Sequence, residues 1–113
     1  MLKPLIQTML AEASLKENAP VERKLPGGLH IAIAVTKSRT PGVEKDVHLS
    51  LARDKVYPSM EEWKTVLANF PYRVPNVEPI KFVDRKRRFA MRAKLPSRES
   101  LPQQMGLPVT END

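Results

Sequence analysis

Leu2, Leu5, Ile6, Met9, Leu10 and Ala13 recur at helical spacing, so the pattern predicts an amphipathic helix over residues 2–17. Pro4 is tolerated in the first turn, where its missing N–H has no intrahelical partner. Asn18 and Pro20 supply the stop. Such a stripe either covers a sheet or docks on a partner. The helix's polar side mixes Lys3 and Lys16 with Glu12 and Glu17, which argues against a membrane-surface role.

Pro26-Gly27-Gly28 marks a turn between a short segment, 21–25, and a strand over 29–36. In that strand Leu29, Ile31, Ile33 and Val35 alternate with His30, Ala32, Ala34 and Thr36. The small second face suggests close approach of another element, such as a helix. After a loop at 38–42, residues 45–53 predict a second strand. Val47, Leu49 and Leu51 lie on one face of it, and Asp46, His48 and Ser50 on the other. Pairing about the loop sets position 34 opposite 48 and position 30 opposite 52.

Ser59-Met60-Glu61-Glu62 has the S-x-x-E form of a capping box. Met60, Trp63, Val66, Leu67 and Phe70 then make one apolar stripe, ended by Pro71, which predicts a core helix. Beyond Pro71, Pro75 and Pro79 comes a hairpin. Ile80 and Phe82 alternate with Lys81 and Val83; Phe89, Met91, Ala93 and Leu95 alternate with Arg88, Ala90, Arg92 and Lys94. With Arg85-Lys86 as the tip, 84 pairs with 87, 82 with 89 and 80 with 91. The apolar residues then share one face and Lys81, Arg88, Arg92 and Lys94 the other. The tip lacks the glycine of a tight two-residue turn. Leu-Pro recurs at 95–96, 101–102 and 107–108, so the end reads as an extended tail.

The expectation is an α+β protein: a small antiparallel sheet of about four strands, one capped helix on it, an N-terminal helix and a tail. Its divisions are 1–20, a core over 21–95 and the tail over 96–113. Val47-His48-Leu49-Ser50, Arg53-Asp54, Tyr57-Pro58-Ser59 and Glu61-Glu62-Trp63 together resemble a family of small uncharacterised bacterial and phage domains. Those domains carry an HLS strand and a YP-x-x-EEW helix start. The resemblance covers about residues 45–70 and implies a β-β-α-β-β core of prokaryotic or viral origin. It implies no activity and transfers no site residue.

Charge sharpens this picture. The chain carries +6, yet residues 81–98 alone carry +7, from eight cations against Asp84. The last 15 residues carry three acids and no base. Dense cations of this kind call for an anionic partner. The candidate binding residues are Lys81, Arg85, Lys86, Arg87, Arg88, Arg92 and Lys94, and the partners are nucleic acid, a nucleoprotein complex or an acidic protein surface. A solvated face that blunts a sheet edge is the plain alternative. Phosphate neutralisation fits better than base reading, because the outward face has few amide or hydroxyl side chains.

Other chemistry finds little support. There is no cysteine, hence no thiolate nucleophile or disulfide. His30 and His48 fall too far apart along their strands to share a metal. No G-x-S-x-G elbow or phosphate-binding glycine loop occurs. Glu61 and Glu62 are adjacent and so face differently, while nothing in the sequence fixes Glu44, Asp46 and Asp54 together. A non-enzymatic protein without cofactor or metal is expected. A membrane role is not: no apolar run has spanning length, no secretory h-region is evident, and a cytoplasmic location fits. An interaction module of the inhibitor or adaptor type, acting through the N-terminal helix, the basic face or the Leu-Pro tail, is the alternative function.

Overall fold

The computed structural model describes residues 1–97 except Glu17 and Glu44. In chain order the elements are α1 (Leu2–Leu15), β1 (Val21–Lys24), β2 (His30–Lys37), β3 (Lys45–Arg53), α2 (Met60–Ala68), β4 (Ile80–Val83) and β5 (Phe89–Leu95). The strands form one antiparallel sheet in the order β1-β2-β3-β5-β4. The protein is therefore α+β, with five strands where about four were expected. The added strand is β1, in which Val21 alone is apolar. Its pairing with β2, Val21 opposite Ile33 through Lys24 opposite His30, supplies what its own residues do not. The expected tail beyond Ser97 lies outside the described residues.

Alternation in β2 and β3 divides the sheet into two faces. Ile31, Ile33, Val35, Val47, Leu49 and Leu51 join Met91, Ala93 and Leu95 on the core face. Both helices pack there: α1 contributes Ile6, Met9 and Ala13, and α2 contributes Trp63, Val66 and Leu67. α1 thus covers the sheet, with most of its contacts on β2. Trp63 is fully buried and its indole Nε1–H donates to the Val77 carbonyl at 2.7 Å, which ties the Pro-punctuated link to the core. The small face with Ala32 and Ala34 points away from both helices, so among the described residues no helix approaches it as the alanines suggested.

Two local devices fix the frame. Gly27 and Gly28 both hold positive φ, 97° and 92°, in the β1–β2 turn, where a side chain would strain the backbone. At α2, Ser59 accepts from the Glu62 amide at 3.0 Å while the Glu62 carboxylate accepts from the Ser59 amide at 2.9 Å. Glu62 also receives the Arg53 guanidinium, whose Nη1 donates to the Gly27 carbonyl at 2.8 Å. One carboxylate therefore caps α2 and joins it to β3 and the β1–β2 turn. The Arg53 bond holds the Glu62 carboxyl below the usual range, against the opposing effect of burial.

Ser59→Ala should cost about 1 kcal/mol. Glu62→Ala should cost more, about 2 kcal/mol, because it also strips the partner from Arg53. Urea denaturation of the two variants checks the order.

Candidate nucleic-acid interface

The basic hairpin is organised by its single acid. Asp84 Oδ1 accepts from the amides of Lys86 and Arg88, each at 2.9 Å, and Oδ2 accepts from Arg88 Nε at 2.9 Å. The Arg87 amide donates to the Asp84 carbonyl, and the Asp84 amide to the Arg88 carbonyl. The tip is thus three residues, Arg85, Lys86 and Arg87, with Arg87 in the left-handed region at φ 62°. A turn with a left-handed third residue needs no Asn-Gly pair, and Asp at its first position is stabilised by its own side-chain bonds.

That third residue corrects the expected pairing. Ile80 lies opposite Arg92, Lys81 opposite Met91, Phe82 opposite Ala90 and Val83 opposite Phe89. The slip of one residue moves β4 to the opposite alternation relative to β5. Phe82 and Ile80 therefore share the outer face with Arg92 and Lys94 instead of anchoring the hairpin from behind. Lys81 goes to the other side, where its Nζ lies 5.4 Å from the centroid of the Tyr57 ring, and Tyr57 packs edge-on against Phe89. Lys81 thus does not belong to the same surface as Arg92 and Lys94.

Arg88 has a different role from its neighbours. Its Nη1 and Nη2 donate to the Glu22 carboxylate at 2.8 and 3.2 Å, from the residue before β5 to β1, with β3 and β2 between them in the strand order. Ala52 and Ala90, neighbours on this face, are 4% and 2% exposed. The Arg88 side chain itself is 12% exposed. His30 Nδ1 lies 3.2 Å from the same Glu22 carboxylate. The Glu22 bond raises the Arg88 pKa, burial opposes this and Asp84 adds to it. The Arg88 hydrogen bond holds Glu22 below the usual carboxylate range despite partial burial. Burial pushes Asp84 up, but the Arg88 amide and guanidinium outweigh it and the net shift is downward.

The remaining cations divide by position. Arg85, Lys86 and Arg87 are exposed, with no side-chain hydrogen bond or ion pair among the described residues. Arg92 is exposed and sets its guanidinium carbon 5.3 Å from the Phe82 ring centroid. Lys94 is exposed too, with only a 4.0 Å approach to Asp46. Beside them His48 shares a 3.0 Å hydrogen bond with Thr36 Oγ1. Burial lowers the His48 pKa; Asp46 opposes this, and Arg92 and Lys94 reinforce it.

His30 sits opposite Ala52 and His48 opposite Ala34, the register read from the sequence, so the imidazoles are on different rows. Among the described residues no three acidic or histidine side chains converge as a metal site, and no helix is long and apolar enough to cross a membrane. Sequence reasoning missed Glu22 as a partner of Arg88, since the two are 66 residues apart and β1 was not evident. The Asp at the hairpin's foot was the available signal for the turn.

Arg88→Ala should destabilise the fold by about 2–4 kcal/mol near neutral pH, since it leaves two partly buried carboxylates without their cation. Glu22 and Asp84 have lowered folded-state pKa values, so their stabilisation is complete above the ordinary carboxylate range near ~4 and is lost as pH falls below it. The stability gap between Arg88→Ala and the parent should therefore narrow toward pH ~2.5, as read by urea unfolding at a series of pH values. Comparison with protein-family models, curated proteins and solved structures finds no match, so the site's chemistry is read from its own residues.

Proposed function

We propose that this chain is a non-enzymatic binding protein that contacts nucleic acid, alone or in a nucleoprotein complex, through the hairpin, mainly by neutralising phosphates. The observation that carries this reading is the sorting of the cations. Arg88 is spent on Glu22 and Asp84, whereas Arg85, Lys86 and Arg87 stand exposed at the tip with no ion pair or side-chain hydrogen bond among the described residues, Lys86 adding only a longer-range attraction to Glu22. Repulsion among three adjacent cations is relieved when an anionic backbone approaches. Arginine adds bidentate contact with phosphate oxygens. Arg92 and Lys94 extend the positive surface from the tip along β5.

An acidic protein surface would satisfy the same charges. The exposed apolar side chains of Ile80 and Val83 at the two ends of the edge strand β4 favour that second reading. The form of the salt dependence separates the two, because release of condensed counterions is a property of the nucleic-acid polyelectrolyte.

Binding of mixed-sequence single- and double-stranded DNA and RNA should weaken linearly in log–log form as salt rises. Arg85→Ala/Lys86→Ala/Arg87→Ala should bind less tightly and reduce the salt slope by about 2–3. Absence of binding at low salt for all four ligands would remove the nucleic-acid reading and leave the protein partner. Arg87→Gly adds a control that folding defects cannot imitate. It relieves a left-handed residue, worth up to about 1 kcal/mol of added stability, yet it should weaken binding by removing one cation.

A further inference from the structure

We infer that the sheet face beside the hairpin, which carries no helix among the described residues, is a seat for a single strand, with a base stacking on the Phe82–Arg92 pair. This rests on the nucleic-acid reading above and adds the form of the ligand. The register places Ile80 opposite Arg92 and Phe82 opposite Ala90, so ring and guanidinium emerge side by side on the outer face. Their 5.3 Å separation is that of a cation held against an aromatic ring. Among the described residues Phe82 is the one aromatic side chain on this face; Trp63 and Phe70 are in the core, and Tyr57 and Phe89 lie under Lys81.

The floor next to this pair is low. Ser50 lies opposite Arg92 on β3, and Ala32 opposite Ser50 on β2; in the next row His48 lies between Lys94 and Ala34. Short side chains let a flat base approach the sheet, and Arg92 and Lys94 offer charge to the phosphates on either side. Both helices occupy the opposite face. Glu22, which the Arg88 guanidinium pairs with, lies opposite Ala32 at the far end of this row, while Arg92 and Lys94 stand exposed at the β5 end.

A half-buried ring on a broad sheet cannot reach bases that are stacked inside a duplex. A single strand can lay an unstacked base on it, and the ring–guanidinium pair suits any base because every base has a π-face. An acidic peptide would use the two cations but gain nothing from the stack. Charge complementarity and the aromatic seat together therefore commit the surface to single-stranded nucleic acid.

The test compares three labelled ligands of about 15 nucleotides: oligo(dT), an abasic strand of equal length and a mixed duplex. The full chain should bind oligo(dT) about tenfold more tightly than either of the others at equal salt. Phe82→Ala and Phe82→Leu should bring oligo(dT) down to the abasic level without changing the salt slope. Phe82→Tyr should retain tight binding, and Arg85→Ala/Lys86→Ala/Arg87→Ala should weaken all three ligands together. Phe82→Trp should show emission beyond that of Trp63 that oligo(dT) quenches and the abasic strand does not. Equal affinity for oligo(dT) and the abasic strand, or unchanged binding by folded Phe82→Leu, would overturn the single-strand seat while leaving phosphate binding in place. Failure of every ligand to bind at low salt would remove both, and binding only to an acidic peptide would transfer the face to a protein partner.

Discussion

The Asp84 carboxylate governs more of this molecule than its position at an exposed turn would suggest. It accepts from two backbone amides and from Arg88 Nε, and these bonds set a loop of three residues between β4 and β5. A loop shorter by one would put Phe82 on the core side and Lys81 on the outer face. The turn therefore decides which side chains make the outer surface. It also aims Arg88 inward across the sheet, where Glu22 completes the guanidinium's pairing.

That arrangement separates two uses of positive charge within a few residues. Arg88 pairs with two carboxylates in a half-enclosed setting, where charge-assisted hydrogen bonds are strong and loss of one partner is costly. Its neighbours at the tip have no such partners among the described residues, and exposed cations contribute little to folding stability. A cluster that looks uniform in sequence thus contains one structural arginine and three available cations. The distinction matters for interpretation: a variant that removes Arg88 together with the tip would confuse loss of fold with loss of binding.

Much of the scaffold was legible because its signals are local. The alternation in β2 and β3 gave the correct facing and the pairing of His30 with Ala52 and His48 with Ala34. The Ser59–Glu62 box and the Trp63 stripe gave α2 and its buried side. β1 was not legible, since Val21-Glu22-Arg23-Lys24 has no alternating pattern and forms a strand only by pairing with β2. The hairpin register was not legible for a different reason. A two-residue tip aligned the apolar residues on one face, which favoured it on burial alone. The structure instead leaves Ile80 73% exposed and puts Arg87 at positive φ, so Asp84's hydrogen bonds outweigh the simpler hydrophobic pattern.

The outer face follows from the same balance. With both helices on one side, an antiparallel sheet can leave its other side wet only if that side is polar or small. Ala32, Ala34, Ser50, Ala52 and Ala90 meet that requirement, and among the described residues no helix lies over them. Arg88 and Glu22 neutralise one another, and among the described residues the positive charge of Arg92 and Lys94 meets only the 4.0 Å approach of Lys94 to Asp46. A surface built only to remain solvated would have no need to turn a half-buried aromatic ring outward beside a guanidinium. Such a surface would be better served by the apolar-inward register that the turn forgoes. The physical content of the site is this departure: the fold accepts an outward Phe82 and Ile80 in order to hold Asp84 and Arg88 in place, and the half-buried ring comes to rest beside the exposed Arg92.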